Sequence, residues 1–144
     1  MDFSEYNLTP SAKKSLQLAK EKADSMQHLK VIDIHLFWAV LQIDHSVIDF
    51  SLESNHLLKS GFVKAMEMVI AEYKEPKRKK KIYSPEILEI LNEAKKLSKL
   101  NKDEFIGIDH IFVAILKVRK EIIDFLNGIG VDVKTLKKDL LDVI

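Results

Sequence analysis

Apolar residues recur at intervals of three and four positions through most of the chain, which places them on one face of an α-helix. In the first half the stripe consists of Ala12, Leu16, Ala19 and Ala23. The corresponding stripe in the second half consists of Leu88, Leu91, Ala94 and Leu97, widened by Ile87 and Ile90. No segment shows the strict alternation typical of a half-buried strand. The pattern therefore predicts an all-α fold.

The two stripes belong to an internal repeat. Shifting the chain by 75 residues aligns 9–50 with 84–125 without a gap, and 11 of the 42 aligned pairs are identical. The identical pairs include His35/His110, Phe37/Phe112 and the triplet 48–50 with 123–125. After a slip of one residue, Phe62 and Met66 align with Leu136 and Leu140. We expect an eight-helix, pseudo-twofold array of two four-helix repeats, because each repeat alone has only a marginal core.

Helix boundaries follow from capping residues. Thr9 and Ser84 precede Pro10 and Pro85, an arrangement typical of an N-cap followed by proline at the first helical position. Asp33 is the predicted cap of the second helix. The third helices are expected over 47–52 and 122–126, and the fourth over about 62–73 and 133–144. Three glycines, Gly61, Gly128 and Gly130, are predicted to lie between third and fourth helices, where glycine permits a positive φ.

A cluster of positive charge lies between the two repeats. Lys77–Lys81 is an unbroken basic run, and removing its five positive charges from the net charge of +1 leaves −4. We interpret the chain 1–144 as a single domain, with repeat one at about 8–73, a basic linker at 74–82 and repeat two at about 83–144. The run could instead bind an acidic partner, a nucleic acid or an anionic membrane. Because the remainder is acidic, nucleic acid and membrane are not expected partners.

Several classes of function lack their required residues. The sequence contains no Cys, no phosphate-binding loop and no Gly-x-Ser-x-Gly motif. The acidic amino terminus does not resemble a secretory signal, and no apolar run is long enough to span a membrane. We expect a cytoplasmic, non-enzymatic protein with no cofactor and no metal site. The repeated histidines, His35 and His110, are predicted to be structural, hydrogen-bonded residues.

Two segments carry a family resemblance. The stretch 106–116 reads IGIDHIFVAIL and 127–132 reads NGIGVD, whereas 31–41 in the first repeat is a looser version. With the duplication, these motifs resemble the amino-terminal repeat domain of Clp-family AAA+ ATPases, such as ClpB and ClpC. The resemblance implies a domain that sits on a hexameric unfoldase ring and receives protein substrates or adaptors. Such rings act in disaggregation, regulated proteolysis or recycling of the type VI secretion sheath.

The resemblance also implies binding residues. In some family members each repeat has a pocket for phosphorylated arginine, formed by the residues that open its first and second helices. These positions are Thr9 with Ile34 in repeat one, where Asp33 could replace the missing acid, and Ser84 with Asp109 in repeat two. The alternative is that these polar residues are only helix caps.

Trp38 is a further candidate binding residue, because Val113 occupies its position in the other repeat. It could anchor an extended peptide in a groove between the halves, or it could fill an asymmetry of the core.

Two functions remain open at this point. The chain could be the docking domain of a Clp ATPase, or a free-standing accessory subunit that stabilises a Clp protease or unfoldase ring. The first predicts that the coding sequence continues beyond Ile144 into a phosphate-loop ATPase, whereas the second predicts that it stops there.

Overall fold

The structure is a computed structural model that describes residues 3–74 and 82–144. The predicted basic linker lies almost entirely outside these residues, and its interpretation stays a prediction. Repeat one contains α1 (Pro10–Ser25), β1 (Lys30–Val31), α2 (Asp33–Leu41), α3 (Ser46–Ser54) and α4 (Lys59–Glu72). Repeat two contains β2 (Ile82–Tyr83), α5 (Pro85–Leu100), α6 (Ile108–Val118), α7 (Lys120–Gly128) and α8 (Val133–Val143). The eight-helix, all-α prediction is confirmed.

One hydrophobic core joins the two repeats. The second helix of each repeat lies at the centre: α2 packs between α1 and α4, and α6 packs between α5 and α8. The two central helices also contact each other, and the rings of Phe37 and Phe112 meet there with centroids 5.5 Å apart. Both rings are fully buried. One identical pair of the repeat, Phe37 and Phe112, therefore meets where the two repeats join.

The first helices show how the predicted stripe and caps act. Ala12, Leu16, Ala19 and Ala23 of α1 are all buried, as predicted. The Thr9 hydroxyl oxygen accepts a hydrogen bond from the Ala12 N–H at 3.1 Å, which confirms Thr9 as an N-cap. Ser84 occupies the N-cap position of α5 without a side-chain capping bond.

Histidine side chains, rather than aspartates, accept the backbone hydrogen bonds at the start of the second helices. The Ile32 N–H donates to His35 Nδ1, and the Gly107 N–H donates to His110 Nδ1, both at 2.9 Å. Asp33 is therefore not the cap: it is the first residue of α2, and its carboxylate accepts from the Ile34 N–H. Since both histidines are buried and hydrogen-bonded, their predicted structural role is confirmed.

The repeat changes register earlier than the sequence alignment indicated. The second helices begin 75 residues apart, but α3 and α7, at 46–54 and 120–128, are 74 residues apart. Burial agrees with the shorter offset, since Ile48 and Ile122 are the buried pair. The identity of 48–50 with 123–125 is therefore not a structural equivalence. The span from the start of the second helix to the start of the third is one residue shorter in repeat two (108 to 120) than in repeat one (33 to 46), and this aligns α3 with α7.

Backbone conformation corrects the glycine predictions. Gly61 lies inside the first turn of α4, and Gly128 is the last residue of α7. Gly130 alone among the three has a positive φ, of 97°, and its counterpart at the offset of 74 is His56, with φ of 57°. The left-handed turn after the third helix is thus common to both repeats, although only one repeat uses glycine for it.

The structure adds one feature that the helical pattern does not predict. β1 and β2 form a two-stranded parallel sheet in which Val31 is opposite Tyr83. Strands of two residues are too short to show an alternating pattern. Within residues 3–74 and 82–144, no helix is long and apolar enough to cross a bilayer.

Candidate partner-binding site

The first candidate site is a pocket of about 440 Å³ that contains Thr9 from repeat one and Asp109 from repeat two. We call it the Thr9–Asp109 pocket. Ser11 and His45 line it from repeat one, and Asp103, Glu104 and Phe105 line it from repeat two. The pocket thus lies between the repeats and takes side chains from both.

Backbone pairing across the repeats brings Thr9 to Asp109. The segment before α1 runs parallel to the segment before α6, with a bridge between Leu8 and Ile106. The Thr9 N–H donates to the Ile106 carbonyl at 2.9 Å, and the Ile106 N–H donates to the Asn7 carbonyl at 2.6 Å. The helices α1 and α6 therefore begin beside each other, and the N-termini of both face the Thr9–Asp109 pocket.

A buried histidine and a glycine hold the acidic wall in place. His110 accepts the Gly107 N–H at Nδ1, so in the neutral ring Nε2 carries the proton and donates to Asp103 Oδ2 at 3.0 Å. A Cβ at Gly107 would lie 2.6 Å from Asp109 Oδ1. Only glycine at this position lets the Asp109 carboxylate lie over the start of α6.

The polar groups of the pocket favour a cation. Three carboxylates line it, from Asp103, Glu104 and Asp109, and the described lining contains no Lys or Arg. His45 adds a buried Nδ1 that has no hydrogen-bond partner within the described residues. Carboxylates form their strongest hydrogen bonds with charged donors such as guanidinium and ammonium groups. The pocket therefore suits a cationic side chain.

An aromatic cleft of about 540 Å³ adjoins the pocket, and Phe105 lines both cavities. Phe3, Tyr6 and Tyr83 also line the cleft. The rings of Phe3 and Tyr83 meet edge to face with centroids 4.8 Å apart, and Phe105 is half exposed. A ligand that spans both cavities would place a cation beside apolar side chains.

Tyr6 supports the floor of this cleft. Its hydroxyl donates to Asn92 Oδ1 at 2.6 Å, which ties the amino-terminal segment to α5. Burial and the neighbouring Glu5 carboxylate raise the pKa of Tyr6, so the phenol stays protonated as a donor.

Comparison with known proteins places this arrangement in a family. The model of the Clp repeat (R) N-terminal domain matches residues 7–129, which is most of the chain. The chain belongs to the Clp repeat N-terminal domain family. This is a non-catalytic domain, and no ATPase domain is evident in the described residues. A search of curated proteins finds no match.

Solved structures share the Clp repeat fold. The N-terminal domain of Hsp104 from Candida albicans aligns with a TM-score of 0.81 and 19% identity, over 95% of this chain and 91% of that one. The N-domain of ClpV from Vibrio cholerae aligns with a TM-score of 0.73 and 22% identity, over 94% and 86%. A complex of the ClpV N-domain with a VipB peptide aligns with a TM-score of 0.71 and 22% identity, over 94% and 88%.

Within the Clp repeat domain, the predicted polar residues are paired differently from the sequence-based prediction. Thr9 lies with Asp109 rather than with Ile34 of its own repeat. Ser84 likewise joins the other repeat, since its N–H donates to the Val31 carbonyl at 2.7 Å. The pairing within each repeat was wrong because each first helix is preceded by a segment that crosses to the other repeat.

Asp33 lies at the counterpart of the pocket in the other half. Its Oδ2 accepts from Arg119 Nε at 2.8 Å, so a side chain of repeat two already binds it. Asp33 is therefore less open to solvent than Asp109, with side-chain exposures of 8% and 19%.

Trp38 lies elsewhere, on α2, and packs against the core of the domain. Lys22 of α1 lies over its ring, with Nζ 4.6 Å from the ring centroid, and the same Nζ is 3.8 Å from a Glu67 carboxylate oxygen of α4. The ring is half-buried and lines neither cavity. Its role as a peptide anchor stays a prediction.

Sequence reasoning missed His45, Asp103, Glu104 and Phe105 as pocket residues. The last three form an acidic–aromatic stretch directly before Ile106 and Gly107, and this stretch has no counterpart in 28–30 of repeat one. That local difference between the repeats was an available signal. His45 had none, because it enters the pocket from the start of α3.

Proposed function

We propose that this chain is the docking domain of a Clp-family ATPase and that it recruits protein substrates or adaptors to a hexameric ring. Family membership supports the domain type, and the ClpV N-domain complex with a VipB peptide is a precedent for peptide binding by this fold. The observation that carries the proposal is the acidic Thr9–Asp109 pocket beside the aromatic cleft. A partner segment with an arginine or lysine next to an apolar residue would occupy both.

Recruitment needs only modest affinity in each domain. One charge-assisted hydrogen bond contributes about 1.5–3 kcal/mol, and a partly exposed pocket supplies few of them. Several domains on one ring would increase the effective affinity for a partner that presents more than one site. We therefore expect weak, salt-sensitive binding by the isolated domain.

The test is a titration of the domain with fluorescently labelled peptides that contain one arginine between leucines. We expect saturable binding that weakens about tenfold or more when the peptide arginine is replaced by alanine, or when the domain carries Asp109→Asn. Asp124→Asn is the matched control, because Asp124 is exposed on α7 and lies outside the pocket. Equal binding by both variants would contradict the proposal.

A version of the same peptide with phosphoarginine in place of arginine tests whether the pocket prefers the unmodified or the phosphorylated side chain. Without a Lys or Arg in the described lining, three carboxylates would repel the phosphoryl group, so we expect weaker binding than for unmodified arginine. Tighter binding of the phosphorylated peptide would instead support the ligand that the family resemblance implied.

A further inference from the structure

The counterpart of the Thr9–Asp109 pocket lies between Ser84 and α2, and it is built by the same backbone pairing. The Ser84 N–H donates to the Val31 carbonyl at 2.7 Å, just as the Thr9 N–H donates to the Ile106 carbonyl at 2.9 Å. The start of α5 thus meets the start of α2, as the start of α1 meets the start of α6. The backbone positions are equivalent, but their acidic residues differ, since Asp33 is the counterpart of Ile108 and Asp109 is the counterpart of Ile34.

The residue that caps the third helix differs between these positions. His45 is the N-cap residue of α3 and lines the open pocket. Its counterpart at the offset of 74 is Arg119, the N-cap residue of α7. The open pocket therefore has the imidazole of His45 at its edge, whereas its counterpart has the longer guanidinium side chain of Arg119.

Two carboxylates bind the Arg119 guanidinium at this position. Nε donates to Asp33 Oδ2 at 2.8 Å, and Nη1 donates to Glu89 Oε1 at 3.1 Å. The Arg119 side chain is 14% exposed and the Asp33 side chain is 8% exposed. Hydrogen bonds between a guanidinium and carboxylates at these distances are the strong, charge-assisted kind.

The charge of Arg119 also acts on Glu86. Glu86 is the counterpart of Ser11, which lines the open pocket. Burial by itself would raise the pKa of Glu86, but its own backbone N–H, the nearby Ser84 hydroxyl and the positive charges of Arg119 and Lys30 hold the pKa below its usual value. The charge of Arg119 therefore reaches the counterpart of the open pocket.

We propose that Arg119 is a built-in ligand that fills the second of two cation sites at equivalent backbone positions, so that each domain offers one open site. Shortening Arg119 should then uncover a site for an external guanidinium at Asp33. The part about the open site rests on the proposed function, whereas the Asp33 site is observed separately.

The experiment compares the wild-type domain with Arg119→Ala and Arg119→Met. Methionine preserves an unbranched side chain that can fill the space of the arginine stem, which protects folding if the alanine variant is unstable. Each protein is titrated with ethylguanidinium chloride, and ethylammonium chloride at equal ionic strength is the control. Backbone amide NMR shifts of Ile34 and Glu86 report the Asp33 site, and those of Gly107 and His110 report the open pocket.

We expect saturable shifts at Ile34 and Glu86 in the Arg119 variants only, accompanied by a rise in the thermal midpoint that ethylammonium does not reproduce. Adding Asp33→Asn to either variant should weaken this binding about tenfold. Absence of saturable shifts at Ile34 in both variants, or their presence in the wild type, would overturn the proposal. Absence of shifts at Gly107 and His110 in every protein would instead count against the proposed function.

Discussion

Replacing Phe112 by alanine removes a ring from the contact between α2 and α6, which joins the two repeats and is called the seam. Phe112 lies on α6 and Phe37 on α2, both fully buried, with ring centroids 5.5 Å apart. Because the seam joins the two central helices, the cavity left by the ring borders both repeats. We expect the substitution to destabilise the two repeats together, even though Phe112 belongs to repeat two.

The size of the effect follows from burial. Truncating a buried Phe to Ala costs about 3–5 kcal/mol, and a direct aromatic pair accounts for about 0.5–1.5 kcal/mol of coupling. With a denaturant slope of about 2 kcal/mol per M of urea, a loss of about 4 kcal/mol lowers the urea midpoint by about 2 M. This is a large part of the roughly 5–15 kcal/mol that stabilises a typical domain. Phe112→Leu, which leaves a smaller cavity, serves if the alanine variant does not fold.

Trp38, the single tryptophan, provides a local reporter in repeat one. Urea unfolding is followed by Trp38 fluorescence and by far-ultraviolet circular dichroism, and both midpoints should fall by the same amount. Phe50→Ala is the control, since Phe50 is 63% exposed and its loss should change the free energy of unfolding by less than about 0.5 kcal/mol. The expectation that both repeats unfold as one unit would be refuted if the Trp38 fluorescence midpoint stayed at the wild-type value while the circular-dichroism transition fell or split.

Three further predictions concern local features. Gly61→Ala should stabilise the protein by about 0.5 kcal/mol, because Gly61 lies in α4 with open space around it. Gly130→Ala should destabilise it by about 1 kcal/mol, because Gly130 has a positive φ. Equal changes in the free energy of urea unfolding would contradict this pair of predictions. Because the folded pKa of Glu86 is lowered, its stabilising contribution is complete above its ordinary pKa and is lost as the pH falls through the folded value. Glu86→Gln should therefore lose less stability than the wild type between about pH 5 and pH 3, and parallel thermal-midpoint curves would argue against it. Thr9→Ala should cost about 1 kcal/mol through loss of the α1 cap, while Thr9→Ser should restore most of it in the same unfolding assay.

Much of the fold was predictable from the sequence because helices depend on short-range patterns. The apolar stripe of α1, the Thr9 cap and the repeat of Phe37 as Phe112 all involve residues whose spacing is visible along the chain. The register change before the third helices was missed because sequence identity at 48–50 outweighed the shorter loop. Burial of Ile48 and Ile122, a tertiary property, shows the correct alignment.

The candidate site was less predictable, although three of its features were present in the sequence. Thr9 and Asp109 were identified as candidates, and Gly107 was part of the family motif. Their assembly depends on the parallel pairing of Leu8 with Ile106, which joins residues nearly one hundred positions apart. Neither helical periodicity nor a motif encodes which repeat such a short segment will pair with.

The sequence by itself therefore determined the helices, their repetition and the kind of residue at each helix start. Only the tertiary structure decided that Thr9 meets Asp109 and that Arg119 meets Asp33. Capping and amphipathic spacing act within a few residues, so one repeat contains all the information for them. The open pocket and its filled counterpart arise from contacts between repeats, and these become defined only when the shared core brings the two halves together.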